Sequence, residues 1–156
     1  MNENTYISVI GAGRCTDEVR ATAHELGELI AARGWILVCG GLSGVMEAAA
    51  QGAREAGGHT VGILPGLDRA GANPYIETAL VTGIGQMRNS LVVQNGEVII
   101  AVEGRYGTLS EIALALKSGR PVIAIGTWKD IPGVKPASDP SQAVALAAEF
   151  LDQGND

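Results

Sequence analysis

Arg88, Glu111 and the segment Gly104-Arg105-Tyr106-Gly107-Thr108 have the residue types and spacing to do chemistry on an anion. The glycine segment follows an apolar run, Val98 to Val102, that reads as a buried parallel strand. It opens a second apolar-periodic run, Leu109 to Leu116, that reads as a helix. Glycines at a strand-to-helix turn let the backbone approach a ligand, and the free N–H groups of the helix start favour a phosphate. Thr108 adds a hydroxyl. Glu111 falls about one turn into the helix, so its carboxylate can face the same mouth. A carboxylate beside a phosphate site is electrostatically awkward, which points to chemistry; a glutamate that merely favours the helix dipole is the plainer alternative. Arg88 opens another helix, either as an exposed arginine or as a cation that offsets Glu111 and a bound anion.

Two further glycine turns accompany this one. Tyr6 to Ile10 reads as a strand and Gly11-Ala12-Gly13-Arg14 as the turn after it, with a helix over Asp17 to Arg33. Thr16 or Asp17 is its N-cap and Gly34 its stop. This turn lacks the third glycine of the dinucleotide fingerprint, and no acidic residue follows the second strand to hold a ribose. Gly11 and Ala12 remain candidates for a backbone contact. Trp35 to Cys39 is the second strand, followed by Gly40-Gly41-Leu42-Ser43-Gly44-Val45-Met46, which is no Walker A loop because Gly-Lys-Ser/Thr is missing. Gly40, Gly41, Gly44 and Met46 are candidate binding residues here; tight packing of helix on sheet is the alternative for the glycines.

The rest of the chain supplies the frame. An alanine-rich helix through Ala56 implies close packing on a neighbour, and Thr60 to Leu64 is a third strand. Asp68 to Pro74 reads as a loop, Glu77 to Thr82 as a short strand, and Met87 to Gln94 as a helix. Pro121 to Gly126 is a further strand, Thr127 to Pro140 a loop with three prolines, and Ser141 to Gln153 a closing helix with Ser141 as N-cap. Apolar strands alternating with helices imply one α/β domain over residues 1–156. It is a Rossmann-like, doubly wound, mostly parallel sheet with helices on both faces and ligands outside the carboxyl ends of the strands.

Composition narrows the partners. A net charge of -6, with 11 basic residues scattered along the chain, argues against a nucleic-acid face. No apolar run approaches the ~20 residues of a membrane span, and Met1 to Thr5 has no signal-peptide pattern. A cytoplasmic protein is expected. Cys15 and Cys39 read as buried or half-buried thiols, and with only His24 and His59 available no metal site is expected.

Gly40-Gly41-x-x-Gly44-x-Met46, Met87-Arg88 and Gly104-x-x-Gly107-Thr108-x-x-Glu111, in that order, resemble the Lonely Guy family of Rossmann-like proteins, often labelled lysine-decarboxylase-like. The chain is also similar in length, and in its Gln-Met-Arg and Gly-Thr-x-x-Glu segments, to molybdenum cofactor carrier proteins. The first resemblance implies hydrolysis of the N-glycosidic bond of nucleoside 5'-monophosphates, with Arg88 and Glu111 catalytic and Gly104 to Thr108 on the phosphate. The second implies a protein that holds the molybdenum cofactor without turning it over. Both imply a small phosphorylated ligand (a nucleoside monophosphate, phosphate or molybdopterin), no required cofactor, and a homodimer or higher homo-oligomer. Glu103-Gly104-Arg105 stands where the family has Pro-Gly-Gly, and Asn89 stands where its enzymes have lysine. Lysine decarboxylation through a pyridoxal Schiff base is excluded, because Lys117, Lys129 and Lys135 all lie away from the glycine turns.

Overall fold

The computed structural model describes residues 3–154, so residues 1 and 2 of the segment read for a signal peptide lie outside it. Seven strands form one parallel sheet in the order β4-β3-β2-β1-β5-β6-β7. They are β1 (Tyr6–Gly11), β2 (Ile36–Cys39), β3 (Thr60–Leu64), β4 (Thr78–Val81), β5 (Val98–Val102), β6 (Val122–Ile125) and β7 (Val134–Ala137). Five helices alternate with them: α1 (Asp17–Ala32), α2 (Val45–Glu55), α3 (Asn89–Asn95), α4 (Tyr106–Lys117) and α5 (Pro140–Gln153). β5 is apolar and buried at every position because helices cover both of its faces. α1, α2 and α5 pack on one face around Leu26, Ile30 and Ile100, while α3 and α4 cover the other around Val92, Ile99 and Ile112. No helix among the described residues is long and apolar enough to cross a membrane.

Strand order reverses between β1 and β5, which are paired from Ile7 with Val98 to Gly11 with Val102. In a parallel sheet the two connections that leave such neighbours diverge to opposite faces, and a crevice opens between them. The turn after β1 and the turn after β5 therefore face each other across a gap.

The alanine-rich α2 packs as its composition implies, with Ala48, Ala49 and Ala53 buried. The approach is closest at two glycines. A Cβ on Gly27 of α1 would lie 1.9 Å from the Ala49 carbonyl oxygen, and one on Gly52 of α2 would lie 1.9 Å from that of His24. Each helix is thus pressed against the backbone of the other.

Several boundaries differ from the sequence reading, each for a local reason. Residues 127–140 are not all loop, since Val134–Ala137 pairs with β6 and buries only its two end residues. As the sheet's last strand it can carry Pro136 without losing a ladder bond, and the prolines that read as loop mark an edge. The α5 cap is Asp139, whose side chain accepts from the Gln142 N–H at 2.7 Å, with Pro140 in the first turn. Thr16 does cap α1, accepting from the Val19 N–H. α4 begins at Tyr106, three residues before Leu109, so Glu111 lies in its second turn. Met87 and Arg88 belong to a 3-10 turn over Gly85–Arg88 that precedes α3.

Alanine normally stabilises a helix interior by about 1 kcal/mol over glycine. Gly27→Ala and Gly52→Ala should do the reverse and cost about 1–3 kcal/mol each by overpacking. Urea denaturation of the two variants measures the sign.

Candidate functional site

A cleft of about 780 Å³ opens at the switch point. Its lining comes from the turns that follow β1, β2 and β5, together with the 3-10 turn. Gly11, Ala12, Gly40, Met46, Arg88, Gly104, Arg105, Gly107, Thr108 and Glu111, all singled out in the sequence, line it. Gly41, Gly44 and Tyr106 do not. Gly41 and Gly44 have φ near +70° to +80°, and an added Cβ would strike Leu64 in one case and the Ala12 carbonyl oxygen in the other. They shape the β2–α2 turn, as the packing alternative has it. Tyr106 is 80% exposed and tilts against Trp128, with ring centroids 6.1 Å apart.

Glycine lets the cleft's walls meet. A Cβ on Gly11 would lie 2.2 Å from the Val102 carbonyl oxygen, so only glycine allows β1 and β5 to end this close together. The Val45 N–H donates to the Ala12 carbonyl at 2.9 Å and Ser43 donates to that of Gly13 at 3.0 Å, tying the first two glycine turns to each other. On the other side Gly104 has φ +105°, and its carbonyl accepts from the Trp128 indole N–H at 3.1 Å. Glu103, at φ +52°, lays its carboxylate over Gly126, where a Cβ would sit 2.0 Å from it. No side chain caps the start of α4. Gly107 and Thr108 border the cleft there, so free backbone donors and the positive end of the helix dipole meet it.

Arg88 is 4% exposed, which rules out the exposed helix-start arginine. Its Nε–H donates to the Ile63 carbonyl at 2.8 Å and its Nη2 to the Gly40 carbonyl at 3.3 Å. Nη1 donates to Gln86 Oε1 at 3.3 Å and to Asn89 Oδ1. A Cβ on Gly40 would lie 2.7 Å from Arg88 Nη2 and 2.8 Å from Met46 Sδ, so a side chain there would displace one or both. Every acceptor is neutral, and no carboxylate comes within 4.0 Å of the guanidinium among the described residues. Four of five N–H donors are engaged, which leaves one on Nη2 and an unneutralised charge.

Glu111 is half-buried, and its carboxylate accepts no hydrogen bond among the described residues. Burial pushes its carboxyl up from 4.5 to about 7, against a smaller opposing pull from Arg88. Burial in turn lowers the proton affinity of Arg88, and the Glu111 carboxylate partly restores it. The two groups feel each other without touching. Under the Arg88 end, burial drives the Cys39 thiol up to about 11, which makes it an inert core sulfur.

Sequence reasoning missed Arg14, Leu42, Ser43 and Gln86 as cleft residues. Arg14 and Ser43 sit inside the glycine turns and were within reach of that argument; Leu42 and Gln86 carry no spacing signal. With Arg14, Arg88 and Arg105 facing Glu103 and Glu111, the cleft is locally cationic in a chain of net charge -6.

Comparison with known proteins follows the same lines. The model of the SLOG cluster4 family matches residues 4–150. A cytokinin riboside 5'-monophosphate phosphoribohydrolase of Mycobacterium tuberculosis is 32% identical over 127 residues, covering 76% of this chain and 68% of that protein. The molybdenum cofactor binding protein of Rippkaea orientalis superposes with a TM-score of 0.92 at 37% identity, over 97% of this chain and 99% of the other. The molybdenum cofactor carrier protein of Chlamydomonas reinhardtii superposes with a TM-score of 0.88 at 36% identity, over 96% and 99%. The chain belongs to the SLOG cluster4 family, within the Rossmann-like group that includes Lonely Guy-like and molybdenum cofactor carrier-like proteins.

Proposed function

We propose that the cleft binds a nucleoside 5'-monophosphate and hydrolyses its N-glycosidic bond, releasing free base and ribose 5-phosphate. The observation that carries this reading is the pairing of Arg88, buried and in contact with no carboxylate, with Glu111, a carboxyl that titrates near neutrality. The phosphate docks at the free N–H groups at the start of α4, beside Thr108 and the Nη2 of Arg88. Breaking the bond from the anomeric carbon to the base nitrogen builds positive charge on the sugar. The electron pair leaves with the base, a water adds to the anomeric carbon, and Glu111 takes the water's proton for delivery to the departing nitrogen. A carboxyl near pH 7 can accept and return a proton at almost no cost, which suits this role.

A second reading is that the protein holds a phosphorylated pterin without turnover. It is favoured by the 97% and 99% coverage of the cofactor binding protein from R. orientalis, against 76% and 68% for the hydrolase. The same cation and helix start would take the pterin phosphate, and Glu111 would have no chemical role.

Free-base release from a panel of nucleoside 5'-monophosphates decides between them. Hydrolysis by the wild type, lost by about 10²-fold or more in Glu111→Gln with binding retained, is the expected result. Tight binding without release by either protein, or a stoichiometric pterin in the purified protein, would establish the carrier. Because the ionised carboxyl is the working form, kcat/KM should rise with pH and level off above about 7.

Stability gives a check on Glu111 that needs no ligand. Its carboxyl binds a proton more tightly folded than unfolded, so its contribution is complete below about 4.5 and is lost as pH rises through about 7. Glu111→Gln never ionises. It should therefore gain up to roughly 3 kcal/mol over the wild type between pH 4 and pH 8, read from denaturation midpoints at both.

A further inference from the structure

Arg88 and Glu111 lie in one cleft with opposite charges and yet do not form an ion pair. Both are partly withdrawn from water, so they attract each other more than two surface charges would. The Nε bond to the Ile63 carbonyl is short at 2.8 Å, but the Nη2 bond to Gly40 is long at 3.3 Å, so these two carbonyls alone hold the planar fork loosely. Nη1 is instead engaged by two side-chain amides from either end of the same short segment, Gln86 and Asn89. Both are neutral. They satisfy the donors of Nη1 without discharging the guanidinium, as a carboxylate would do.

We propose that Gln86 and Asn89 are positioning residues that hold the Arg88 guanidinium off Glu111, keeping the cation free for a ligand anion and the carboxyl free for a proton. The ligand part of this rests on the phosphate-site reading above; the separation of the two groups does not. Without the amides, Nη1 carries two unpaired donors in a nearly buried site, a costly state. The guanidinium then tilts toward the Glu111 carboxylate, the acid whose charge it already feels. Of the other charged groups lining the cleft, Arg14 lies on the turn after β1, and Glu103 and Arg105 lie on the turn after β5. Of the cleft's charges, it is Arg88 that pulls the Glu111 carboxyl down.

The test is a carbon-detected NMR titration of the ligand-free protein, with the Glu111 carboxyl assigned by its loss in Glu111→Gln. In Gln86→Ala/Asn89→Ala the Glu111 midpoint should fall from about 7 by about one pH unit or more, as it does when a carboxylate gains an arginine partner. Asn89→Asp restores an acceptor for Nη1 and adds a negative charge, so its midpoint should stay at or above the wild-type value. A purely structural loosening would not move the two variants in opposite directions. If the double variant does not fold, as judged by circular dichroism, Asn89→Ala alone carries the test. An unmoved midpoint in a folded alanine variant overturns the proposal.

Binding of inorganic phosphate and adenosine 5'-monophosphate is measured on the same proteins and should weaken roughly tenfold in the alanine variants. If the midpoint moves but the wild type binds neither probe, the phosphate site is wrong and the tether stands. If the wild type binds both probes but the midpoint stays, the tether is wrong and the site stands.

Discussion

The constraint on which the site depends is the burial of one guanidinium. An arginine removed from water must have its donors met, and Arg88 meets them with the carbonyls at the carboxyl ends of β2 and β3 and with two amides of its own segment. Those carbonyls are unclaimed by the ladder because the strands end there. The sheet edge that leaves acceptors unpaired is thus the edge at which a cation can be buried, and Gly40 is the opening through which it reaches them. Desolvation of the same region raises the Glu111 carboxyl. One fact, burial at this end of the crevice, therefore raises the Glu111 carboxyl toward neutrality, while the arginine beside it is basic enough to keep its charge.

The topology explains why these residues meet at all. Arg88 and Glu111 are 23 positions apart and sit on different elements, joined only because β5 returns to pair with β1. The reversal of strand order opens the crevice, and glycines let the ends of β1 and β5 come together at its floor.

Much of this was legible in the sequence because it depends on local pattern. Apolar runs such as Val98–Val102, bounded by glycine turns, fix both the strand and the edge at which the cleft opens. A helix carrying Glu111 after the glycine turn follows from spacing, although its start reads three residues late, at Leu109 instead of Tyr106. The burial of Arg88 did not, since its acceptors at Gly40 and Ile63 are remote in sequence and a helix-start arginine is ordinarily exposed. Tyr106 looked like part of the turn because it lies between two glycines, but the first turn of α4 rotates it outward against Trp128. β7 was hidden because its one proline and its lysine suit an edge strand as well as a loop.

The contact of α1 with α2 through Gly27 and Gly52 has a consequence for how the cleft can move. Two helices pressed backbone to backbone cannot slide or tilt separately, and each follows one of the two turns cross-linked through Ala12 and Ser43. That side of the crevice behaves as a fixed jaw. The opposite side, carried by α4 and its glycine turn, is tied by the Glu103 N–H to the Ile125 carbonyl at 2.9 Å and by the Trp128 indole to the Gly104 carbonyl at 3.1 Å. Any change in the width of the cleft falls to that second jaw, while the first sets an unchanging reference surface.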